Sequence, residues 1–465
     1  MQNQYINIFD FILSPVYILI ILLIARNIKR KNIEKHPEYK YYIPGLFVKI
    51  FGGLAVVLIY LFYYDGGDTV AYYDTASGLA KLSTIKFRTF LSIMTGHLSY
   101  ENYWIYYTNV HEAHYFSDPQ SFVVVRISAI FALVCFNSFF CTTILVATFT
   151  YFGIWKLYRL ITELYPANIS RISLAVLFVP SVFFWGSGIL KDSYTLSMSC
   201  LFVASGYCLF IFKRNILRNI IGLVFSSFIL ISIKPYIFNA AFLGLIIMVM
   251  HSRLLATKNL SVKYIVFPIG SVIMISAGIW IMFSLAGLSN QAYGSLDKVV
   301  EKAILTQYDL KQEYYGGNRF DIGYIDPTFW GMVGKAPDAI AAGLFRPYIW
   351  ETRNPVMFIS GLENLGILFL AVYSGFLCIV VIFKGGRKLI TKALFGDSFI
   401  LFSLIFSLIF AFSVGLTTAN FGALVRYRIP LTPFFVSALF IITYRLNREI
   451  TEHDERTKFV SGTLK

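Results

Sequence analysis

The sequence predicts an all-α polytopic membrane protein, organised as one transmembrane domain over residues 1–465. Of its 465 residues, 57% are hydrophobic and only 14% are charged, and the mean hydropathy is +0.66. In soluble domains about a quarter of the residues are charged. Apolar stretches of spanning length recur almost to residue 445. Because a lipid-exposed backbone must satisfy its own hydrogen bonds, these stretches are predicted to be helices.

The apolar stretches predict about 11–12 transmembrane helices. The first follows an N-terminus whose only charged side chain is Asp10, so we interpret it as a retained span and not as a signal peptide. The predicted spans are 11–25, 44–64, 120–136, 139–159, 168–186, 193–212, 217–233, 236–250, 263–286, 356–383, 397–416 and 429–444. Residues 64 and 187 should lie on the same side, yet three spans separate them. We therefore expect that 120–136 and 139–159 are not two full crossings.

Short loops between the predicted spans carry most of the net charge of +15. In a soluble protein this excess would suggest nucleic acid as a partner. Beside membrane spans it indicates orientation and contact with anionic membrane lipids, and no nucleic acid is expected. The predicted cytoplasmic segments are 26–40, 213–218, 251–263, 384–392 and the tail 445–465. The predicted extracytoplasmic segments are outer loop 1 (65–119), outer loop 2 (287–355), 187–192 and 417–428. The five cysteines lie in apolar segments, without the spacing of a zinc site or a disulfide framework.

A charged turn follows the second predicted span, with the sequence Asp65-Gly66-Gly67-Asp68. The glycines allow a tight turn that presents both acids just outside the hydrocarbon. A carboxylate placed there suits a general base that deprotonates a hydroxyl group. It equally suits a ligand of a divalent cation such as Mg²⁺ or Mn²⁺. The alternative is a solvated turn in which Asp68 caps the next helix.

Two further charged positions interrupt apolar sequence. Asp192, preceded by Lys191, either caps the next helix or closes over the same outer pocket as Asp68. Glu363 lies roughly two turns into a predicted span, where a carboxylate is costly and usually functional. Its expected partners are Arg346, Arg353 or Lys234, and the alternative is a purely structural ion pair.

The last predicted span is preceded by Arg426-Tyr427-Arg428, followed by a segment with two prolines, Pro430 and Pro433. Arginine binds phosphate bidentately. Pro430 favours a helix that starts at this point, and a helix N-terminus would add positive potential. Two arginines on the outer side depart from the usual charge distribution, which favours a function over ordinary lipid-headgroup anchoring.

Taken together, these motifs resemble the GT-C superfamily of integral-membrane glycosyltransferases, and the resemblance extends over most of the chain. An acidic motif opens a long outer loop, and an arginine opens the next helical region. A later span ends in a Tyr-Arg pattern, and the span that follows it leads out to an aspartate. An Arg-Tyr-x-x-Pro-x-x-Pro element near the C-terminus closes the pattern. The matching positions are Asp68 to Tyr72, Arg126 to Ser128, Tyr158-Arg159, Asp192, Gly422, Arg426-Tyr427 and Pro430 to Pro433. One departure is that the acidic pair, adjacent in the family, is split here by two glycines.

The resemblance implies an inverting enzyme of the bacterial inner membrane, acting in cell-envelope polysaccharide synthesis with its site facing outside. It would transfer a sugar from a polyprenyl-phosphate-linked donor to a lipid-linked, glycan or protein acceptor. Asp68 would be the catalytic base, with Asp65 second. Arg426 would bind the donor phosphate, assisted by Tyr427, Arg428 and Lys191. Further site candidates are Tyr72, Arg126, Lys234, Arg346 and Glu363, and a divalent cation would be held by Asp65, Asp68 and Asp192.

Two other functions remain open. An O-antigen-type polymerase or ligase would share the carrier and the outer arginines, and it would be favoured if activity survived loss of Asp65 and Asp68. A transporter belongs to a different class. Transporters are often built from inverted repeats with broken helices, and no internal repeat is seen in the sequence.

Overall fold

The computed structural model describes residues 5–258, 296–312 and 318–460, except positions 7, 112 and 386, together with scattered residues of 269–280. All regular secondary structure in these ranges is helical, apart from one isolated bridge between Arg319 and Asn420. The prediction of a helical polytopic membrane protein is confirmed. The longer helices are α1 (Ile8–Asn32), α2 (Tyr42–Phe62), α3 (Asp68–Ile85), α4 (Phe87–Met94), α5 (Tyr100–Val110), α6 (Pro119–Val134), α7 (Phe139–Leu164), α8 (Ile169–Leu177), α9 (Pro180–Trp185), α10 (Lys191–Phe210), α11 (Ile216–Ile233), α12 (Pro235–Ala256), α13 (Leu296–Leu310), α14 (Phe329–Gly334), α15 (Ala336–Phe345), α16 (Pro355–Gly385), α17 (Arg387–Phe395), α18 (Ser398–Thr417), α19 (Phe421–Tyr427) and α20 (Thr432–Val460).

Eight helices in the described ranges are long and apolar enough to cross a membrane, or up to nine if the bent pair of α19 and α20 counts as one span. The eight are 10–32, 37–62, 139–164, 191–210, 216–233, 235–256, 355–384 and 398–417. The predicted count of 11–12 is therefore higher than the count in the described part of the chain. One predicted span, 263–286, lies mostly outside it.

Two predicted spans are not continuous crossings. The segment predicted as 120–136 is α6, which has 16 residues and is shorter than the roughly 20 that a crossing needs. The segment predicted as 168–186 is split into α8 and α9. The split comes just before Pro180, which cannot donate the hydrogen bond that would continue a helix. With α6 excluded, two crossings separate residues 64 and 187 if the broken pair of α8 and α9 counts as one, and only 139–164 is a continuous candidate span in this part of the chain.

The described residues form two compact units that alternate along the chain. Unit 1 comprises 1–159, 177–201 and 225–234, and unit 2 comprises 160–176, 202–224 and 235–465. In unit 1, predicted outer loop 1 folds as α3, α4 and α5, which pack with α6. The buried Tyr106 hydroxyl donates to the Thr75 carbonyl (2.8 Å), and Arg126 Nε donates to the Ile93 carbonyl (2.8 Å). Within this loop, α4 has eight residues and α5 has eleven.

Unit 2 is built around α18. Its core side chains include Phe402, Phe406 and Phe410, whose rings stack in sequence along one face. Helix α15 packs closely on α18 because Gly415 of α18 faces the backbone of α15. A Cβ on Gly415 would lie only 1.9 Å from the Ala339 carbonyl oxygen.

Part of predicted outer loop 2 is fixed to the segment before α19. Phe320 N donates to the Ala419 carbonyl (3.0 Å) and Phe421 N donates to the Asn318 carbonyl (2.9 Å). The Asn420 side chain then caps α19 by accepting from Gly422 N (2.8 Å). These bonds hold α19, and with it Arg426, against this loop.

Candidate functional site

The turn before α3 orients Asp68. Gly66 and Gly67 have φ values of +128° and +113°, which side chains other than glycine rarely adopt. Gly67 is the N-cap of α3 and no side chain caps this end, so the capping alternative for Asp68 is wrong. Asp68 instead lies in the first turn of α3, where the partial positive charge of the helix end stabilises a carboxylate.

Asp68, and not Asp65, contacts the interior of unit 1. The Tyr115 hydroxyl donates to Asp68 Oδ1 (3.2 Å), and the Tyr115 ring stacks on Tyr72 at a centroid distance of 4.4 Å. Burial raises the pKa of Tyr72 far above its ordinary value, so this phenol stays protonated. Asp65 is exposed in the turn.

A second acid, Asp118, lies beside Lys191. Asp118 caps α6 by accepting from Gln120 N (3.0 Å) and Ser121 N (3.2 Å). Lys191 Nζ lies 3.3 Å from Asp118 Oδ2. Burial alone would raise the pKa of Asp118, but the Lys191 ammonium and the Ser121 hydrogen bonds outweigh it and hold this pKa below its ordinary value. Asp118 is therefore a carboxylate at neutral pH, and Lys191 is held next to it.

The next residue, Asp192, forms a buried ion pair. Lys234 Nζ lies 2.6 Å from Asp192 Oδ1, and the two side chains are only 9% and 1% exposed. Lys234 stands between the end of α11 and the start of α12, so this pair joins that junction to the first turn of α10. A buried pair of this kind is destabilising when one partner is lost.

Tyr72 connects these groups. Its hydroxyl interacts with Ser121 and lies within electrostatic range of Asp68 and Asp192. Unit 1 therefore brings together predicted site residues that are far apart in sequence. We call this group the acid–lysine cluster: Asp68, Tyr72, Tyr115, Asp118, Ser121, Lys191, Asp192 and Lys234.

Three members of the cluster were not expected from the sequence: Tyr115, Asp118 and Ser121. Asp118 could have been found, because an aspartate before Pro119 is a typical helix start. Tyr115 and Ser121 carry no comparable signal. Their contacts depend on how α3 packs with α6.

The expected cation site is not formed by its three aspartates. No group of three or more His, Cys, Asp or Glu residues suited to a metal ion occurs in the described part of the chain. Asp68 accepts from Tyr115 and Asp192 pairs with Lys234, while Asp65 is exposed in its turn. The residues present do not fit a divalent cation, and we assign no step to one.

In unit 2, the arginine motif lies at the end of a short helix, and not at the start of the last span as the sequence predicts. Arg426 and Tyr427 end the short helix α19, and α20 begins only at Thr432, after a bend of 69°. The expectation that both arginines open the last span is therefore wrong, as is the expected helix N-terminus beside them. Pro433, not Pro430, lies in the first turn of α20. Arg426 and Tyr427 are partly exposed.

Arg428 is buried and bound by the protein itself. Its guanidinium donates to the Arg346 carbonyl (2.8 Å) and to the Asn364 side chain. It also lies 3.9 Å from Glu363 Oε1, with both side chains no more than 5% exposed. Glu363 thus pairs with an arginine that was not among its expected partners. These contacts give Arg428 a structural role.

Two other predicted site arginines are also held by protein contacts. Arg346 pairs with Glu351 (2.8 Å) and donates to the Asp321 carbonyl (3.2 Å). Arg126, expected to open a helical region, lies in the middle of α6 with its guanidinium over the Phe122 ring. Both arginines fix neighbouring segments of their own unit.

We expect Arg428→Met to lower the free energy of unfolding by about 3–5 kcal/mol, because it leaves Glu363 buried without this partner. The measurement is thermal unfolding of the detergent-purified chain. Arg426→Met, which changes the same charge at a partly exposed position, is the matched control and should have a much smaller effect. Equal unfolding temperatures for both variants would contradict the structural role of Arg428.

Comparison of the chain with protein-family models, with curated proteins and with solved structures found no match.

Proposed function

We propose that this protein is an inverting membrane glycosyltransferase that transfers a sugar from a polyprenyl-phosphate-linked donor. The acceptor is a lipid-linked, glycan or protein hydroxyl on the extracytoplasmic face. The observation that carries the proposal is the acid–lysine cluster. It places an accessible carboxylate, Asp68, in one network with a lysine, Lys191, at the ends of apolar helices.

The cluster contains the two kinds of group that this reaction needs. Asp68 accepts a hydrogen bond from Tyr115, which orients its carboxyl group. In the proposed step, Asp68 takes the proton of the acceptor hydroxyl while the acceptor oxygen attacks the sugar C1. The bond between C1 and the phosphate oxygen breaks, and its electron pair leaves with the polyprenyl phosphate. One displacement of this kind inverts the anomeric centre.

Lys191 is the proposed stabiliser of the leaving phosphate within the cluster. Its side chain is 23% exposed and that of Asp118 is 46% exposed, so their ion pair is partly exposed to solvent. An accessible ion pair contributes little to stability. A donor phosphate can therefore replace Asp118 as the partner of Lys191 at small energetic cost. Lys234 is paired with Asp192 in the buried part of the cluster.

Incubating membranes that contain the protein with a panel of radiolabelled polyprenyl-phosphate sugars tests the proposal. We expect one donor to lose its label to an acceptor, and membranes without the protein to show no transfer. Absence of transfer from every donor in the panel would count against the proposal.

One observation favours a transporter as a second candidate. The predicted span 168–186 is broken before Pro180, and the chain bends between α19 and α20, at the start of the last predicted span. Broken helices often form substrate sites in transporters. Proteoliposomes separate the two functions. A transporter would move an intact substrate across the membrane, whereas a transferase would release polyprenyl phosphate.

Arg426 is expected to bind the donor phosphate, as the family resemblance implies. Arg426→Ala should weaken binding of a polyprenyl phosphate by about 1.5–3 kcal/mol, the contribution of a charge-assisted hydrogen bond. Arg426→Lys should weaken it less, since it keeps the charge but loses the bidentate geometry. Arg353→Ala, at an exposed arginine of predicted outer loop 2, is the control. If Arg426→Ala binds the lipid phosphate as tightly as the control, Arg426 has no donor contact.

A further inference from the structure

A cavity of about 450 Å³ opens in unit 2, next to the basic segment 384–392. It lies between the segment after α7, the end of α17 and the C-terminal half of α20. Its lining includes three cationic side chains, Lys392, Arg445 and Arg448, and the rings of Tyr165 and Tyr444. None of these residues belongs to the acid–lysine cluster or to the arginine motif.

The three cations differ in how firmly they are held. Arg445 is fixed, because it pairs with Asp397 (2.9 Å) and lies over the Tyr165 ring. Arg448 is 68% exposed and pairs with Glu452 along its own helix, an interaction of small energy in water. Lys392 is exposed and forms no ion pair within the described part of the chain. Two cations are therefore available to an anion in the cavity.

The cavity lies at the level where membrane spans end. The span 139–164 ends just before Pro166, and the span 398–417 begins just after Gly396, and both Pro166 and Gly396 line the cavity. Helix α17 has nine residues and connects the spans 355–384 and 398–417, so it stays close to their ends. Phe395 at its end is 52% exposed, next to the cavity wall. Tyrosines such as those in the lining are typical near the ends of membrane spans, where phospholipid headgroups lie.

We propose that this cavity binds the phosphate of an anionic phospholipid headgroup, through Lys392 and Arg448, beside the fixed Arg445. The exposed face of α17 then contacts the acyl chains, which distinguishes a membrane lipid from a soluble phosphate. Basic pockets between helices on the cytoplasmic side bind anionic lipid headgroups by this chemistry. Glu449 and Glu452 also line the cavity and oppose the anion, so they limit the affinity. The site is independent of the proposed sugar transfer.

Native mass spectrometry of the full chain in detergent tests the proposal. The added probes are phosphatidylglycerol, phosphatidylcholine and soluble glycerophosphoglycerol. We expect one tightly bound phosphatidylglycerol and weaker binding of the other two. Lys392→Gln with Arg448→Gln should weaken phosphatidylglycerol binding by roughly thirtyfold, from the loss of two cations. Glu449→Gln should strengthen it.

Arg218→Gln is the matched control, because it removes one exposed cation from the same unit at a position that does not line the cavity. If the double variant binds phosphatidylglycerol as tightly as this control, the site is wrong. If glycerophosphoglycerol binds the parent as tightly as the lipid does, the ligand is a soluble phosphate and the lipid assignment is wrong. Should the double variant fail to fold, an unchanged affinity in Glu449→Gln would overturn the site instead.

Discussion

Asp68→Asn is expected to lower sugar transfer at least about 100-fold while leaving the protein folded. The amide keeps the shape of the side chain and can still accept from the Tyr115 hydroxyl, so the contact with Tyr115 is retained. It cannot take a proton from the acceptor, and loss of a general base typically reduces the rate by 10²–10⁴. The measurement is the initial rate of label transfer at saturating donor.

Asp65→Asn is the matched control for this prediction. It removes the same charge three residues earlier, at an exposed position of the turn. We expect its rate to stay close to that of the parent. Near-normal turnover of Asp68→Asn would contradict the assignment of the base. Survival of activity in a variant that combines Asp65→Asn with Asp68→Asn would favour an O-antigen-type polymerase or ligase.

Lys234→Met is expected to destabilise the protein by about 3–5 kcal/mol, because it leaves the Asp192 carboxylate buried without its ammonium partner. Thermal unfolding in detergent measures the change. Adding Asp192→Asn should recover much of the loss, since the buried charge is then removed as well. A double-mutant cycle gives the coupling between the two side chains directly.

Two results would contradict this account of the pair. The first is a small effect of Lys234→Met on unfolding, which would mean that Asp192 is solvated. The second is strict additivity of the two substitutions, which would mean that the side chains do not interact. Lys191→Met serves as the comparison, because its ion pair with Asp118 is accessible and should contribute little to stability.

The helical fold and much of the cluster could be predicted from local sequence. Apolar length predicts a spanning helix, so α2, α7 and α18 were found directly. The two glycines before Asp68 predict the turn that the structure contains. Charge bias predicts that 120–136 and 139–159 are not both full crossings, and α6 is the shorter of the two helices, with 16 residues; apolar length alone does not reveal which of the two falls short.

The charge partners could not be predicted, because they depend on contacts between distant segments. Glu363 was expected to pair with Arg346, Arg353 or Lys234, but it pairs with Arg428, 65 positions later in the chain. Arg428 carries the same sequence signal as Arg426, yet only Arg428 is fully buried. Arg426 lies inside the last turn of α19 and Arg428 lies just after it, so the two side chains face different surroundings. The hydrophobic periodicity of the sequence does not reveal which of them faces the core.

The most direct test of the central claim is the stoichiometry of the reaction in proteoliposomes with one polyprenyl-phosphate-linked donor. Released polyprenyl phosphate and the anomeric configuration of the product are measured together. We expect one polyprenyl phosphate per sugar transferred, an inverted anomeric centre, and loss of both signals in Asp68→Asn. Sugar appearing in a product without release of polyprenyl phosphate, or with retained configuration, would contradict the proposed reaction.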